Sequence, residues 1–168
     1  KKDATLASLR EAFPRITLRI WGNQWEKRSA RILDDCVMGV GITGDDYARG
    51  ICASKISLGL LSEARRGASS GDLITARTFQ IPACGAFMLH ERNPEVLEYF
   101  SEDSEAAFFG NHAELAEKVG RYLADADSRD RIARNGRERS MRSDYSVDAR
   151  MSHVTSFIEA ARGGRRTQ

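Results

Sequence analysis

The sequence predicts an α/β domain with a mostly parallel sheet, and three observations carry that expectation. Short runs rich in β-branched, aromatic or other apolar residues recur along the chain; helical patterns separate them; Gly, Pro, Asn or Ser stands at most of the joints. At 168 residues the chain is long enough for one domain with an ordinary core.

Each element follows from its local chemistry. Asp3 to Phe13 carries Leu6, Leu9 and Phe13 on one face of a helix with an acidic start, and Pro14 stops it. Ile16 to Ile20 reads as a strand that ends at the Trp21-Gly22-Asn23 turn. A less regular stretch runs through Val37-Met38, and Asp45 to Ser54 reads as a helix. Lys55 to Leu61 has the apolar run of a buried strand, and Glu63 to Gly71 is a small, polar loop. Thr75 to Ala83 is a short helix with Thr75 as N-cap, closed by Cys84-Gly85 and followed by the apolar strand Ala86 to Leu89.

Pro94 opens a helix through Phe100, at a position where its missing N–H costs nothing. Ala106 to Phe109 is a strand, and Asn111 caps a helix bearing Leu115, Val119 and Leu123. Asp127 to Met141 is a charged helix, Ser146 to Ala161 a final amphipathic one, and Gly163 to Gln168 a tail. Residues 1–162 are thus expected to form one domain and 163–168 to follow it as a flexible end.

Composition narrows the function. Lys plus Arg number 26 against 24 Asp plus Glu, so the net charge of +2 gives no general hold on nucleic acid or an anionic membrane. No apolar run is long enough to span a bilayer. Cys36, Cys52 and Cys84 are odd in number and far apart, unlike a disulfide framework or a metal-ligand spacing, and free thiols suit the cytoplasm. The opening Lys1-Lys2-Asp3 lacks an initiator Met and any secretory signal, which fits a processed chain or a piece of a longer one.

In a parallel α/β sheet, ligands bind outside the carboxyl ends of the strands. That edge is expected to hold the loop after Ile20, the loop after Leu61 and the residues after Leu89. The stretch Gly71 to Glu91, GDLITARTFQIPACGAFMLHE, is the most informative part. A Gly/Ser loop enters a helix whose first N–H groups and dipole favour a phosphate, and Arg77 in the first turn adds a guanidinium. Gln80, one turn on, can donate and accept hydrogen bonds, which suits a sugar hydroxyl. From the residues alone, an ordinary capped helix with a surface Arg explains the same pattern.

The run ARTFQIPACGAFMLHE, followed by Pro94-Glu95, Tyr99-Phe100, Glu105 and ELAEKVGRYLAD, resembles the C-terminal half of GT-B glycosyltransferases of the group 1 kind. Within them it is most similar to the CgeB-like spore-maturation proteins, over about Asp45 to Phe157. The resemblance implies a Rossmann-like three-layer domain that holds a nucleotide-diphosphate sugar. It also implies an acceptor-binding N-terminal domain as partner, absent from this chain, with metal-independent sugar transfer in the cleft between them. It places Thr75, Ala76 and Arg77 at the donor diphosphate. The acidic pair of related enzymes falls on Asp72 and Gln80, and the amide at Gln80 departs from the family carboxylate. No cofactor is implied.

Other signals are less specific. Gly39-Val40-Gly41-Ile42-Thr43-Gly44 spells G-x-G-x-x-G, but Cys36-Val37-Met38 makes a poor strand before it and Asp45-Asp46 would face a pyrophosphate. Trp21, beside Gly22, reads either as an aromatic wall at the site edge or as core packing. His90 and Glu91 read either as an acid/base or sugar-contacting pair at the same edge or as the start of a surface loop. The acidic run Glu102-Asp103-Ser104-Glu105 suits a solvated loop better than a metal site. Arg121 to Arg150 holds eight Arg against six acids, interleaved as on a salt-bridged face rather than a DNA-facing one. A non-catalytic nucleotide-binding or protein-interaction module, with Gln80 marking a degenerate donor site, is the alternative reading. A nucleic-acid-binding domain is a further one.

Overall fold

The computed structural model describes residues 1–61 and 73–163. Helix α1 (Lys2–Ala12) leads to β1 (Ile20–Trp21), and two 3-10 turns, Trp25–Lys27 and Arg31–Leu33, lead on to β2 (Val37–Gly39). There follow α2 (Gly44–Cys52), β3 (Ser57–Gly59), α3 (Ala76–Ala83), β4 (Met88–Glu91), α4 (Val96–Tyr99) and β5 (Ala107–Phe109). Three helices close the described chain: α5 (His112–Ala124), α6 (Ala126–Arg142) and α7 (Val147–Gly163).

The described strands pair in parallel, β1 with β2 and β3, β4 and β5 in that order, giving the Rossmann-like α/β arrangement that the sequence predicts. Strand alternation sends neighbouring side chains to opposite faces, and two apolar layers result. Leu89, Ala107 and Phe109 pack with Leu6 and Leu9 of α1 and Leu115 and Val119 of α5. Met88 and Phe108 pack with Ile81 of α3 and Val96 of α4 on the other side. Each fully buried Leu, Ile, Val, Phe or Met among them contributes roughly 1.5–3 kcal/mol.

The starts of α5 and α6 each carry a side-chain cap, one at the expected Asn111 and one at Asp125. Asn111 Oδ1 accepts from Glu114 N at 2.9 Å at the start of α5, and Asp125 Oδ1 does the same for Ser128 N at 2.9 Å at the start of α6.

Several boundaries depart from expectation. The strand expected from Ile16 to Ile20 begins only at Ile20, because Ile16 N donates to Phe13 O and Arg10 holds Ile16 O at 2.7 Å. The Val37-Met38 stretch, expected to be irregular, is strand β2; its pairing with β1 supplies what its local sequence does not. A strand therefore does precede the G-x-G-x-x-G run, and a helix does open at Gly44. Glu63, near the spacing of about twenty positions at which a dinucleotide motif carries its acidic residue, lies outside the described residues.

The Lys55–Leu61 strand pairs only over Ser57–Gly59, with Leu60 and Leu61 buried just beyond it. The strand placed at Ala86–Leu89 runs instead from Met88 to Glu91, carrying His90 into the sheet. Asn93 Oδ1, accepting from Val96 N at 2.9 Å, starts α4, so the helix expected from Pro94 forms two residues later. Gly163 ends α7 rather than opening a tail, and residues 164–168 lie outside the described set. Among the described residues no helix is long and apolar enough to cross a membrane.

Candidate functional site

The carboxyl ends of β3 and β4 meet the N-terminus of α3. Thr75 is the N-cap expected of it, with extended backbone at φ −140° and ψ 170°. Its N–H donates to Thr78 Oγ1 at 3.0 Å, and Thr78 N donates back to Thr75 O at 2.9 Å. The N–H groups of Ala76 and Arg77 have no hydrogen-bond partner among the described residues. A helix start with open N–H groups is an anion-binding feature in chemical terms.

Thr78 is completely buried, and so is His90 on β4. The Thr78 hydroxyl lies 3.0 Å from His90 Nε2, and His90 Nδ1 lies 2.7 Å from Glu91 O. A carbonyl only accepts, so Nδ1 carries the hydrogen, Nε2 is the acceptor, and the Thr78 O–H donates to it. Burial lowers the His90 pKa, which keeps the ring neutral. The structure therefore corrects both readings of His90: it neither starts a surface loop nor presents an acid/base nitrogen to an open site. Burial and two hydrogen bonds make it a sheet residue that ties β4 to α3.

Glu91 is the better exposed member of that pair. Its Oε1 accepts from Leu61 N at 2.9 Å, and its Oε2 pairs with Lys1 Nζ. Arg77 reaches the same edge, its Nη2 donating to Leu60 O at 3.0 Å. Lys2 is near enough that burial, and then the Arg77 charge, lowers its pKa. Asn93 closes the group by donating to Leu73 O at 2.8 Å, which fixes the entry to α3 against the loop after β4. Gln80 is exposed on α3, one turn beyond Arg77, and Ala76 is exposed at its start. Asp72, expected to face ribose or sugar, lies outside the described residues.

Trp21 and Gly22 stand at the carboxyl end of β1. Trp21 is 38% exposed, which excludes it from the core that one reading of the sequence assigned it. Gly22 has φ 153°, and its N–H donates to Gly39 O at 3.1 Å. An added Cβ on Gly41 would lie 4.0 Å from Gly22 Cα, so two backbones run side by side here. Asp3 of α1 accepts from Ser29 N and Oγ, in the chain that follows β1, while Lys1 reaches Glu91 on β4. The start of α1 thus ties the connection between β1 and β2 to the carboxyl end of β4.

An ion-pair network beside this edge has no counterpart in the sequence reading. Arg92 bonds Glu114 at 2.7 and 2.9 Å and also pairs with Glu102, which accepts from Lys118 at 2.7 Å. The Arg92 hydrogen bonds hold the Glu114 carboxyl down to about 2 against the opposing effect of burial. Burial pushes Glu102 the other way, but bonds from Arg92 and Lys118 win and lower it. The acidic run expected to be a solvated loop is therefore engaged: Glu102 pairs as described, and Asp103 accepts from Tyr122 Oη at 2.8 Å. Next to the network an open cavity of about 450 Å³ is lined by Glu91, Arg92, Gly110, Asn111 and His112 among others.

The structure places the start of α3, Arg77 and Glu91 at the edge where the sequence expects a site; Thr78, Asn93 and Arg92, which the sequence reading does not single out, bond there or beside it. The Thr-x-x-Thr spacing at the start of α3 was the available signal for Thr78. The roles of the others depend on partners distant in the chain.

A family model described as glycosyl transferase-like matches residues 2–156. A search of curated proteins gave no match. Among solved structures, sucrose-phosphate synthase from Thermosynechococcus elongatus aligns at 19% identity with TM-score 0.71, covering 95% of this chain and 42% of that one. The C-terminal domain of a glycosyl transferase group 1 family protein from Francisella tularensis aligns at 13% identity with TM-score 0.62, covering 87% and 79%. The chain thus spans less than half the length of that synthase. At these identities the likeness is one of fold, the Rossmann-like fold of GT-B C-terminal domains.

Proposed function

The chain belongs to the glycosyl transferase-like family, and from that premise we propose that it is the donor-binding half of a two-domain sugar transferase. Its substrate would be a nucleotide-diphosphate sugar, and an acceptor-binding domain would face it across a cleft. The observation that carries this reading is the start of α3 at the carboxyl edge of β3 and β4, whose Ala76 and Arg77 N–H groups have no partner among the described residues, with the Arg77 guanidinium beside it.

The proposed chemistry is electrostatic. As the sugar departs, negative charge grows on the diphosphate, and fixed dipoles aimed at it lower the barrier. The N–H groups of Ala76 and Arg77 supply those dipoles. Arg77 keeps one guanidinium nitrogen on Leu60 O and presents the rest of its fork to a phosphate. No metal is required in this scheme. Gln80 and Asp72 orient ribose or sugar hydroxyls, and Trp21, Gly22 and Glu91 border the site. The Gln80 amide lacks the charge-assisted bond of a carboxylate, so donor binding by this half alone is expected to be weak. The CgeB-like resemblance supports the same assignment, and the free thiols of Cys36, Cys52 and Cys84 suit a cytoplasmic setting.

The test is titration with UDP, GDP, dTDP and ADP, followed by amide chemical shifts, on the native chain and on Arg77→Ala. Saturable binding of one diphosphate, with shifts at Ala76 and Arg77 and affinity reduced about tenfold or more in Arg77→Ala, is expected. Binding that is indifferent to Arg77→Ala and shifts amides elsewhere would remove the assignment.

A further inference from the structure

We propose that His90 is a positioning residue for the open end of α3: its Nε2 lone pair, acting through the Thr78 hydroxyl, holds the Thr75 N–H in place. The functional meaning of this relay rests on the donor reading above, whereas its geometry does not.

The relay is continuous and directional. Glu91 O accepts from His90 Nδ1 at 2.7 Å, His90 Nε2 accepts from Thr78 Oγ1 at 3.0 Å, and Thr78 Oγ1 accepts from Thr75 N at 3.0 Å. Each donor has one acceptor, and the hydroxyl both donates and accepts. The N-cap of α3 is thereby tied to β4, the middle strand of its sheet. The residues that would meet a diphosphate, Ala76 and Arg77, follow the tethered Thr75 directly. A small rotation of this turn would re-aim their N–H groups, and misplacement of a reacting or binding group is costly.

An imidazole suits this position because the relay needs a donor and an acceptor held in one rigid ring. Room for the ring comes from Gly59 on β3, where any Cβ would strike it. The Phe108 ring approaches from β5 at 6.5 Å, edge on. The charged groups around His90 are the Glu91 carboxylate on its own strand, Arg77 on α3 and Lys1 at the start of α1. Protonation would turn Nε2 into a donor facing a hydroxyl that already accepts from Thr75, leaving the hydroxyl hydrogen without its partner. The relay is therefore complete at neutral pH, and acid removes its Thr78-to-His90 link, loosening the hydroxyl that holds Thr75 N.

The test measures hydrogen-exchange protection of the Thr75 amide, corrected for intrinsic rate, between about pH 5 and pH 8. It is run on the native chain, Thr78→Val, Thr78→Ser and His90→Gln. Titration with the same four nucleoside diphosphates accompanies it. Thr78→Val is expected to lower Thr75 protection roughly three- to tenfold while the Leu89 amide stays protected, and Thr78→Ser to restore it. In the native chain, Thr75 protection should fall toward the acid end. His90→Gln, whose side-chain carbonyl can take the Thr78 hydroxyl but does not titrate, should hold it constant.

Unchanged Thr75 protection in Thr78→Val overturns the relay, and so does a native profile as flat as that of His90→Gln. If Thr78→Val does not fold, the comparison with His90→Gln decides alone. If the native chain binds a diphosphate and Thr78→Val binds it equally well, the positioning role is overturned even where the relay exists. If the native chain binds none of the four, the donor reading fails, and Thr75 protection alone judges the relay.

Discussion

Gly59 and His90 oppose each other in the β3–β4 ladder so closely that a Cβ on Gly59 would stand 2.1 Å from His90 Cδ2. The absent side chain on one strand is the space occupied by the ring on the next. Gly59→Ala is expected to destabilise the fold by about 2 kcal/mol, since the buried ring cannot swing away without breaking its bonds to Thr78 and Glu91 O. Urea denaturation of Gly59→Ala, His90→Ala and the double variant checks this: the double variant should lose clearly less than the sum of the two singles.

His90 also gives the fold a pH dependence of known sign. Its folded pKa lies below the ordinary 6.5, so the unfolded chain binds the proton more readily. The stability contribution is complete above 6.5 and is lost as pH falls from there toward the folded value. Denaturation midpoints of the native chain should drop between about pH 7 and pH 5, and His90→Gln should remove that part of the slope. Equal slopes in the two proteins would contradict it.

Glu114 acts in a lower window. Arg92 holds its carboxyl at about 2, against an ordinary 4.5, so its contribution is present above 4.5 and disappears as pH falls from 4.5 through 2. Glu114→Gln is expected to cost about 2 kcal/mol at neutral pH and very little in strong acid, where the native carboxyl is already protonated. Thermal unfolding across that range measures the convergence.

Gly136 tests tertiary packing against local propensity. Alanine inside a helix is ordinarily favoured over glycine by about 1 kcal/mol. Here a Cβ would lie 2.4 Å from Glu105 O, a backbone atom that cannot yield cheaply. Gly136→Ala should therefore destabilise, by about 2 kcal/mol, because α6 must withdraw from the chain before β5. A rise in melting temperature would show that the contact relaxes freely.

The sequence by itself determined the alternation of elements, the N-cap positions Thr75 and Asn111, the core faces of α1 and α5 and the place where α3 starts. These are short-range properties: apolar spacing, a polar side chain beside its own helix and a glycine at a turn act over a few residues. The family likeness was legible because the run from Ala76 to Glu91 and the motifs after it, Pro94-Glu95, Tyr99-Phe100, Glu105 and ELAEKVGRYLAD, can be read in chain order and spacing without any tertiary contact. Only the tertiary structure decided that Val37 to Gly39 is a strand, because its hydrogen bonds come from β1 and not from its own composition. It alone decided that His90 is buried. A histidine after an apolar strand looks the same in sequence whether it enters solvent or the sheet, and the glycine that makes its space stands 31 positions earlier. Arg92, Glu102, Glu114 and Lys118 likewise become a network only when β4, β5 and α5 are brought together, since ion pairing depends on distance in space.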